Sequence, residues 1–213
     1  MRIFNMFVIP VINETSFEAI AAKIKKVEPY TQWVQIDVGD GVFTPNQTWN
    51  NPGDLLRLDS PINIEVHLMI KNPELVLESW LRIPLVKRAL IHLEATTAME
   101  KIINLGEEFE KEIGIVINPE TPVSGLGPYL NEVNFFQMLA VKPGLAGQEF
   151  QPEVINKIKA LKLEKNDVII EVDGGVTPEN AKLLKEAGAD ILNSATYIFN
   201  SQNIQEAIAN LNV

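Results

Sequence analysis

The 213-residue chain is long enough for one good-sized domain and short for two, and its hydrophobic fraction of 46% is ordinary for a globular protein. A net charge of -10 argues against general nucleic-acid binding, and no apolar run is long enough to span a bilayer. With no cysteine there is no disulfide, thiolate metal site or cysteine nucleophile, which fits a reducing cytoplasm.

The opening run Met1–Pro10 is apolar enough to be weighed as a signal peptide, but it lacks a small-residue cleavage site. Pro10 followed by Val11-Ile12 reads better as a first strand, about Phe7 to Ile12. Ser16 is an N-cap for a helix through Ile20, Ile24 and Val27. Strand two is Trp33 to Val38, and a long connection from Gly39 to Asp54 has the look of a functional loop. Strand three is Ile62 to Met69; Asn72-Pro73-Glu74 then opens a capped helix to about Arg82. Strand four is Ala89 to Leu93, and Thr96 or Thr97 caps a helix ending near Phe109. Strand five is Ile113 to Ile117, followed by a weak helical piece at Val123 to Leu130 that contains Gly125 and Gly127. Strand six is Val133 to Val141, with a helix over Pro152 to Leu163. Strand seven is Val168 to Asp173; Thr177-Pro178 starts the next helix, which ends at Gly188. Strand eight is Ile191 to Ala195, and a last helix covers Ile204 to Leu211.

Strict alternation of strands and helices implies a parallel sheet with right-handed crossovers. Eight such units point to a single closed (β/α)8 TIM barrel over residues 1–213. An open doubly wound sheet is the competing architecture, and the absence of G-x-G-x-x-G after strand one counts against it.

Active sites of such barrels lie at the C-terminal ends of the strands. Gln35 and Asp37, Glu65 and His67, His92 and Glu94, and Glu171 and Asp173 all share the inward parity of their strands. Barrel interiors often hold a few satisfied polar side chains, and for any one of these residues that is the default. As a set they point to function, because buried charges need shared partners or a metal. Asp37 and Asp173 facing each other across the mouth suit proton abstraction on one face of a carbon and return on the other. His67 with the two acids gives mixed N/O ligation suited to a divalent Zn, Fe, Co or Mn ion. Met69 and Leu139 would form an apolar wall, with core packing as their ordinary role.

Glycine-rich turns follow the last three strands: Lys142-Pro143-Gly144-Leu145-Ala146-Gly147-Gln148, Gly174-Gly175, and Ala195-Thr196. Loops in these positions often cradle a phosphate through backbone N–H groups, although glycines also serve simply as turn residues. With so acidic a chain, a phosphorylated substrate needs such a local trap; Lys142 is either an added cation or a solvated surface residue. The segment Gly41–Asn46 is either a lid or an ordinary βα connection.

Several stretches together resemble the ribulose-phosphate 3-epimerase family over nearly the whole chain. They are Ile36-Asp37-Val38-Gly39-Asp40-Gly41 with Phe43, Pro45 and Asn46; Val66-His67-Leu68-Met69 with Asn72-Pro73-Glu74; Ile91-His92-Leu93-Glu94-Ala95; Asn118-Pro119-Glu120-Thr121-Pro122; Val141-Lys142-Pro143-Gly144 with Gly147-Gln148 and Phe150; and Val172-Asp173-Gly174-Gly175-Val176 with Asn180 and Ala187-Gly188-Ala189-Asp190. The resemblance implies C3 epimerisation between D-ribulose 5-phosphate and D-xylulose 5-phosphate through an enediolate. Asp37 and Asp173 are then the acid/base pair and, with His67, ligands of a divalent metal. Substrate and phosphate contacts fall to His67, Met69, Gly144, Ala146, Gly147, Gly174, Gly175, Ala195 and Thr196. It further implies a small phosphorylated sugar as partner, a cytoplasmic location and, since relatives are often dimers or hexamers, a homo-oligomer.

The chain departs from the family pattern inside the site. Gln35 stands where the family has a fourth metal-ligand histidine; a Gln amide oxygen there would be a harder ligand and shift preference towards Mn or Mg. Val11 replaces a serine, Gly39 and Leu139 replace methionines, Leu145-Ala146 replaces Phe-Gly, and Ala195-Thr196 replaces Gly-Ser. The alternatives are an epimerase or isomerase for another phosphorylated sugar, and a non-catalytic sugar-phosphate-binding relative.

Overall fold

In the computed structural model, which describes residues 6–213, eight parallel strands close in sequence order into one barrel. They are β1 (Phe7–Ile12), β2 (Trp33–Gly39), β3 (Asn63–Met69), β4 (Val86–His92), β5 (Glu112–Ile117), β6 (Phe135–Leu139), β7 (Ile169–Asp173) and β8 (Ile191–Ser194). Pairing of Val8 with Leu192 and Ile9 with Asn193 closes the ring. The helices are α1 (Phe17–Val27), α2 (Leu77–Leu81), α3 (Met99–Glu108), α4 (Val154–Glu164), α5 (Pro178–Ala187), α6 (Thr196–Phe199) and α7 (Ile204–Leu211). Of the apolar opening run Met1–Pro10, residues 1–5 lie outside the described residues. Among the described residues no helix is long and apolar enough to cross a membrane.

Local signals explain several boundaries. Ser16 Oγ accepts the Ala19 N–H at 3.3 Å and starts α1. Thr177 and Asn180 form a capping box that starts α5, and Gly188 ends it in the left-handed region. Asn72 does not cap: it is itself left-handed (φ 53°), and Pro73–Leu75 forms only a 3-10 turn ahead of the short α2. Val123–Tyr129 is likewise a 3-10 segment. Strand four starts earlier than expected, at Val86, which brings Arg88 onto the inner face.

The sheet separates two environments. Outward residues such as Val34, Ile36, Ile64, Val66, Ile115 and Val172 are fully buried under the helices and form the main core. Trp80 anchors that layer edge-on against Trp49, ring centroids 5.7 Å apart, and so ties the long β2–β3 connection to α2. Inward, Ile9, Leu90, Val116, Phe135, Leu139 and Ile191 form a smaller apolar cluster. Gly114 makes this filling possible: a Cβ there would lie 2.6 Å from Leu90 Cδ2 and 2.8 Å from Phe135 Cδ1.

The floor is ionic. Arg88 Nη1 donates to the fully buried Glu65 at 2.6 Å, and its Nε donates to Glu112 at 2.6 Å. The guanidinium lies 3.7 Å from the Phe135 ring centroid. Removing one partner of such a pair strands the other charge. Arg88→Leu should therefore lower unfolding free energy by about 3–5 kcal/mol in urea denaturation, and the double variant Glu65→Leu/Arg88→Leu should recover part of that loss. A double variant no more stable than the single one would contradict a stranded Glu65 charge as the cause.

Candidate active site

Adjacent strands bring the chemistry together at the C-terminal mouth. Register pairs Asp37 with His67 across β2 and β3, and Leu139 with Asp173 across β6 and β7. One donor atom from each of Asp37, His67 and Asp173 lies within 4.8 Å of the others. His67 Nδ1 is 3.2 Å from Asp37 Oδ1 and 3.7 Å from Asp173 Oδ2. Burial by itself would depress the His67 imidazole; its hydrogen bond to Asp37 and the charges of Asp37 and Asp173 outweigh that and raise it. Burial, with the Asp37 charge beside it, pushes Asp173 up to about 7, against the pull of His67 and Gln35.

A second row of side chains orients His67. Its Nε2 is 2.8 Å from His92 Nε2, and His92 Nδ1 lies 3.4 Å from Glu94 Oε2. Burial pushes His92 down to about 4, so at neutral pH it is an uncharged ring. Burial would raise Glu94, but contacts with His92, Thr121 and the Asn118 N–H bring it down to about 2. An ionised Glu94 favours the proton on His92 Nδ1, which leaves His92 Nε2 to accept from His67 Nε2–H. His67 Nδ1 then faces the two acids: protonated, it donates to Asp37 Oδ1, and the neutral tautomer left when that proton is lost turns a lone pair toward them. That tautomer, with two carboxylates, fits a hard or borderline divalent cation with three protein ligands.

Gln35 is not a fourth ligand in this arrangement. Its Nε2 donates to Asp37 Oδ1 at 2.8 Å and to Asp173 Oδ2 at 2.7 Å. Its Oε1 faces the opposite way, accepting from Gln137 Nε2 at 2.7 Å and Asn193 Nδ2 at 2.6 Å. The expectation of a hard amide-oxygen ligand is corrected: the oxygen already has two donors, and the nitrogen faces the acids.

The other inward acids divide by depth. Glu65 and Glu171 sit below the mouth, bound to Arg88 and Gln137 respectively. Burial and the Glu65 charge push Glu171 well above the usual carboxylate range. Glu94 lies beyond the end of β4 in a 3-10 turn, so it is not an inward strand residue.

Above the acids opens a cavity of about 510 Å³. Val11, Met69 and Leu139 form its apolar wall, and Lys142, Gly144, Leu145, Ala146 and Gly147 line one side. Gly174, Gly175, Ala195 and Thr196 line it as well. The Gly174-Gly175 turn requires glycine twice over. Both residues have positive φ, and Cβ atoms would lie 2.5 Å from Val141 Cγ2 and 2.8 Å from the Phe150 nitrogen. Gly39 does not open the cavity: a Cβ there would meet Asn46 O at 2.9 Å and Thr44 Oγ1 at 3.0 Å, so the β2–β3 connection fills that space. The same connection is held by the Asp40 carboxylate, which accepts the Val42, Phe43 and Lys71 N–H groups at 2.8 Å each. Phe43 lies against His92, ring centroids 4.8 Å apart.

Three participants have no motif. Asn13, just after β1, donates from Nδ2 to Asp37 Oδ2 and to Gly144 O, both at 3.1 Å. Asn46 donates to the same Gly144 oxygen at 2.9 Å, so the loops after β1, β2 and β6 meet there. Gln137 and Asn193 lie one layer below, on the inward faces of β6 and β8. A lone polar residue at inward parity in an apolar strand was the available signal for these two.

The profile of the Ribulose-phosphate 3 epimerase family matches residues 7–199. The chain is 35% identical to a ribulose-phosphate 3-epimerase from Synechocystis sp., with 96% of this chain and 92% of the relative covered. Identity to a ribulose-phosphate 3-epimerase of Bacillus subtilis is 33%, covering 96% and 97%. Among solved structures, 3-hexulose-6-phosphate synthase from Salmonella typhimurium superposes with a TM-score of 0.73 at 12% identity, covering 97% of each chain; at that identity only the fold is shared.

Because Asp173 is held up by burial and by its neighbour's charge, the chelator-treated protein should carry it protonated below, and ionised above, a midpoint of about 7. Carboxyl carbon NMR reads this directly, and Asp37→Asn should move the midpoint down towards the ordinary 3.8. A midpoint in Asp37→Asn equal to that of the unsubstituted protein would contradict the charge coupling.

Proposed function

The chain belongs to the ribulose-phosphate 3-epimerase family, whose members are isomerases, and on that premise we propose that it interconverts D-ribulose 5-phosphate and D-xylulose 5-phosphate by inverting C3. The observation that carries this reading is the pairing of two carboxylates across the barrel mouth, one of them held up to about 7. Epimerisation needs one ionised group to take the C3 proton and one protonated group to supply a proton to the opposite face. A group titrating near neutrality takes either role with little penalty, so the pair runs in both directions.

Asp37 projects from β2 and Asp173 from β7, with β1 and β8 between them in the ring. Asn13 and Gln35 each hold Asp37, while Gln35 is the one side chain among the described residues that donates to Asp173. Val11, Met69 and Leu139 enclose the reacting carbon in an apolar collar that excludes water from the carbanion-like species. The turns at Gly144–Gly147, Gly174-Gly175 and Ala195-Thr196 lie on one side of the cavity and receive the 5-phosphate through backbone N–H groups, with Lys142 at the rim. When bound, a divalent ion held by Asp37, His67 and Asp173 supplies positive charge for the negative charge that develops on the substrate oxygens.

Turnover in deuterated water should place deuterium at C3 of both pentulose phosphates. Asp37→Asn and Asp173→Asn should each lower kcat by about 10²–10⁴-fold, the usual share of a positioned acid or base. Absence of C3 exchange with every divalent ion supplied would remove the epimerase reading and leave a sugar-phosphate-binding role; exchange with another phosphorylated ketose alone would replace the substrate.

The phosphate position has its own test. Crystals grown with sulfate should place the anion beside Gly147, Gly174, Gly175 and Thr196, and inorganic phosphate should compete with substrate. An anion bound elsewhere in the cavity would refute the assignment.

A further inference from the structure

The orientation of the Gln35 amide has structural causes beyond the two acids. We propose that Asn193 and Gln137 are positioning residues that lock Gln35 with its N–H2 group toward Asp37 and Asp173, and that this lock weakens the hold of the acid pair on a divalent cation. The inference rests on the proposed role of those acids but concerns a different property of the site.

The argument follows hydrogen-bond polarity upward from the floor. Arg88 has only donors, and it occupies Glu65 Oε2 at 2.6 Å. Glu65 Oε1 accepts from Asn193 Nδ2 at 3.2 Å. That contact sets which end of the Asn193 amide faces inward. The same Nδ2 donates to Gln35 Oε1 at 2.6 Å, which turns the Gln35 oxygen downward and its nitrogen upward. Gln137 repeats the constraint from another strand: its Nε2 donates both to Glu171 Oε1 and to Gln35 Oε1, at 2.7 Å each.

Turning Gln35 over would set its N–H2 against two N–H2 groups. Turning Asn193 and Gln137 as well would offer Asn193 Oδ1 and Gln137 Oε1, both buried and without a partner at present. Asn193 Oδ1 would then face Glu65 Oε1, whose partner oxygen is held by Arg88, acceptor against acceptor. Either change leaves buried polar groups unpaired, and the present orientation avoids both.

The consequence lies at the mouth. Two N–H bonds of Gln35 bridge carboxylates that would otherwise repel, so the amide takes over part of the neutralising task of a cation. To ligate an ion fully, the two carboxylate oxygens must give up those N–H bonds, while the amide hydrogens still point at the site.

Neutron diffraction from crystals of the deuterated, chelator-treated protein tests the orientation directly. Deuterium is expected on the Gln35 atom that faces Asp37 and Asp173; deuterium on the atom facing Asn193 and Gln137 overturns the proposal. Calorimetric titration with manganese(II) tests the consequence without any turnover. Asn193→Leu, which releases one of the two bonds on Gln35 Oε1, should tighten manganese binding by about tenfold, the scale of outer-shell effects on metal sites. Unchanged or weaker binding in a folded Asn193→Leu protein overturns the effect on the cation. If that variant does not fold, the neutron result on the unsubstituted protein still decides the orientation. Neither readout uses substrate, so failure of the C3 exchange experiment leaves both outcomes readable.

Discussion

Burial of acid inside a closed parallel barrel is the constraint to which the rest of this structure answers. Asp37, Glu65, Glu171 and Asp173 all project into one interior, and the amide partners Gln35, Gln137 and Asn193 are completely shielded from water. An unpartnered carboxylate there would cost several kcal/mol. The barrel answers in layers. Arg88 neutralises the floor, uncharged amides fill the middle, and a histidine meets the acids at the mouth. The gradient from fixed charge below to titratable charge above places Asp37 and Asp173 at the mouth, where they line the cavity.

That layering also makes the two mouth carboxylates unequal. Asp173 receives an N–H bond from Gln35, while Asp37 receives bonds from Gln35 and Asn13 and lies against His67. The less supported group is the one raised to about 7. A reversible proton transfer across one carbon needs such a difference, since two equally ionised acids could accept protons but neither could supply one. The Glu94–His92–His67 row adds direction by fixing which imidazole nitrogen faces the acids.

How far this could be read in advance depended on the range of each interaction. Alternating strand and helix signals are local, so the eight strands, the Thr177 cap and the final helix Ile204–Leu211 were legible. Side-chain parity is also local; it brought Asp37, His67 and Asp173 to one face and, with the barrel, to one mouth. The segment after β3 departs from its sequence pattern because Asn72-Pro73 resembles a cap, whereas the backbone at Asn72 is left-handed. Arg88 falls just outside the strand that the apolar pattern marks, because β4 begins at Val86 and not at Ala89. Asn13 reaches Gly144 across 131 residues, and nothing near it in the chain marks that contact.

Gln35 shows the limit of reading a ligand from residue type. The amide carries a donor end and an acceptor end of nearly equal size, and one letter stands for both orientations. At this position the first would clamp two acids together and the second would bind a cation between them. The choice is made by Asn193 on β8 and Gln137 on β6, and behind Asn193 by an ion pair between Glu65 and Arg88 at the far end of the barrel. A histidine at the same point would present a lone pair or a proton according to pH and cation, with no need to turn over. An amide at this point therefore differs from an imidazole in more than ligand hardness: its orientation is set from the floor of the barrel.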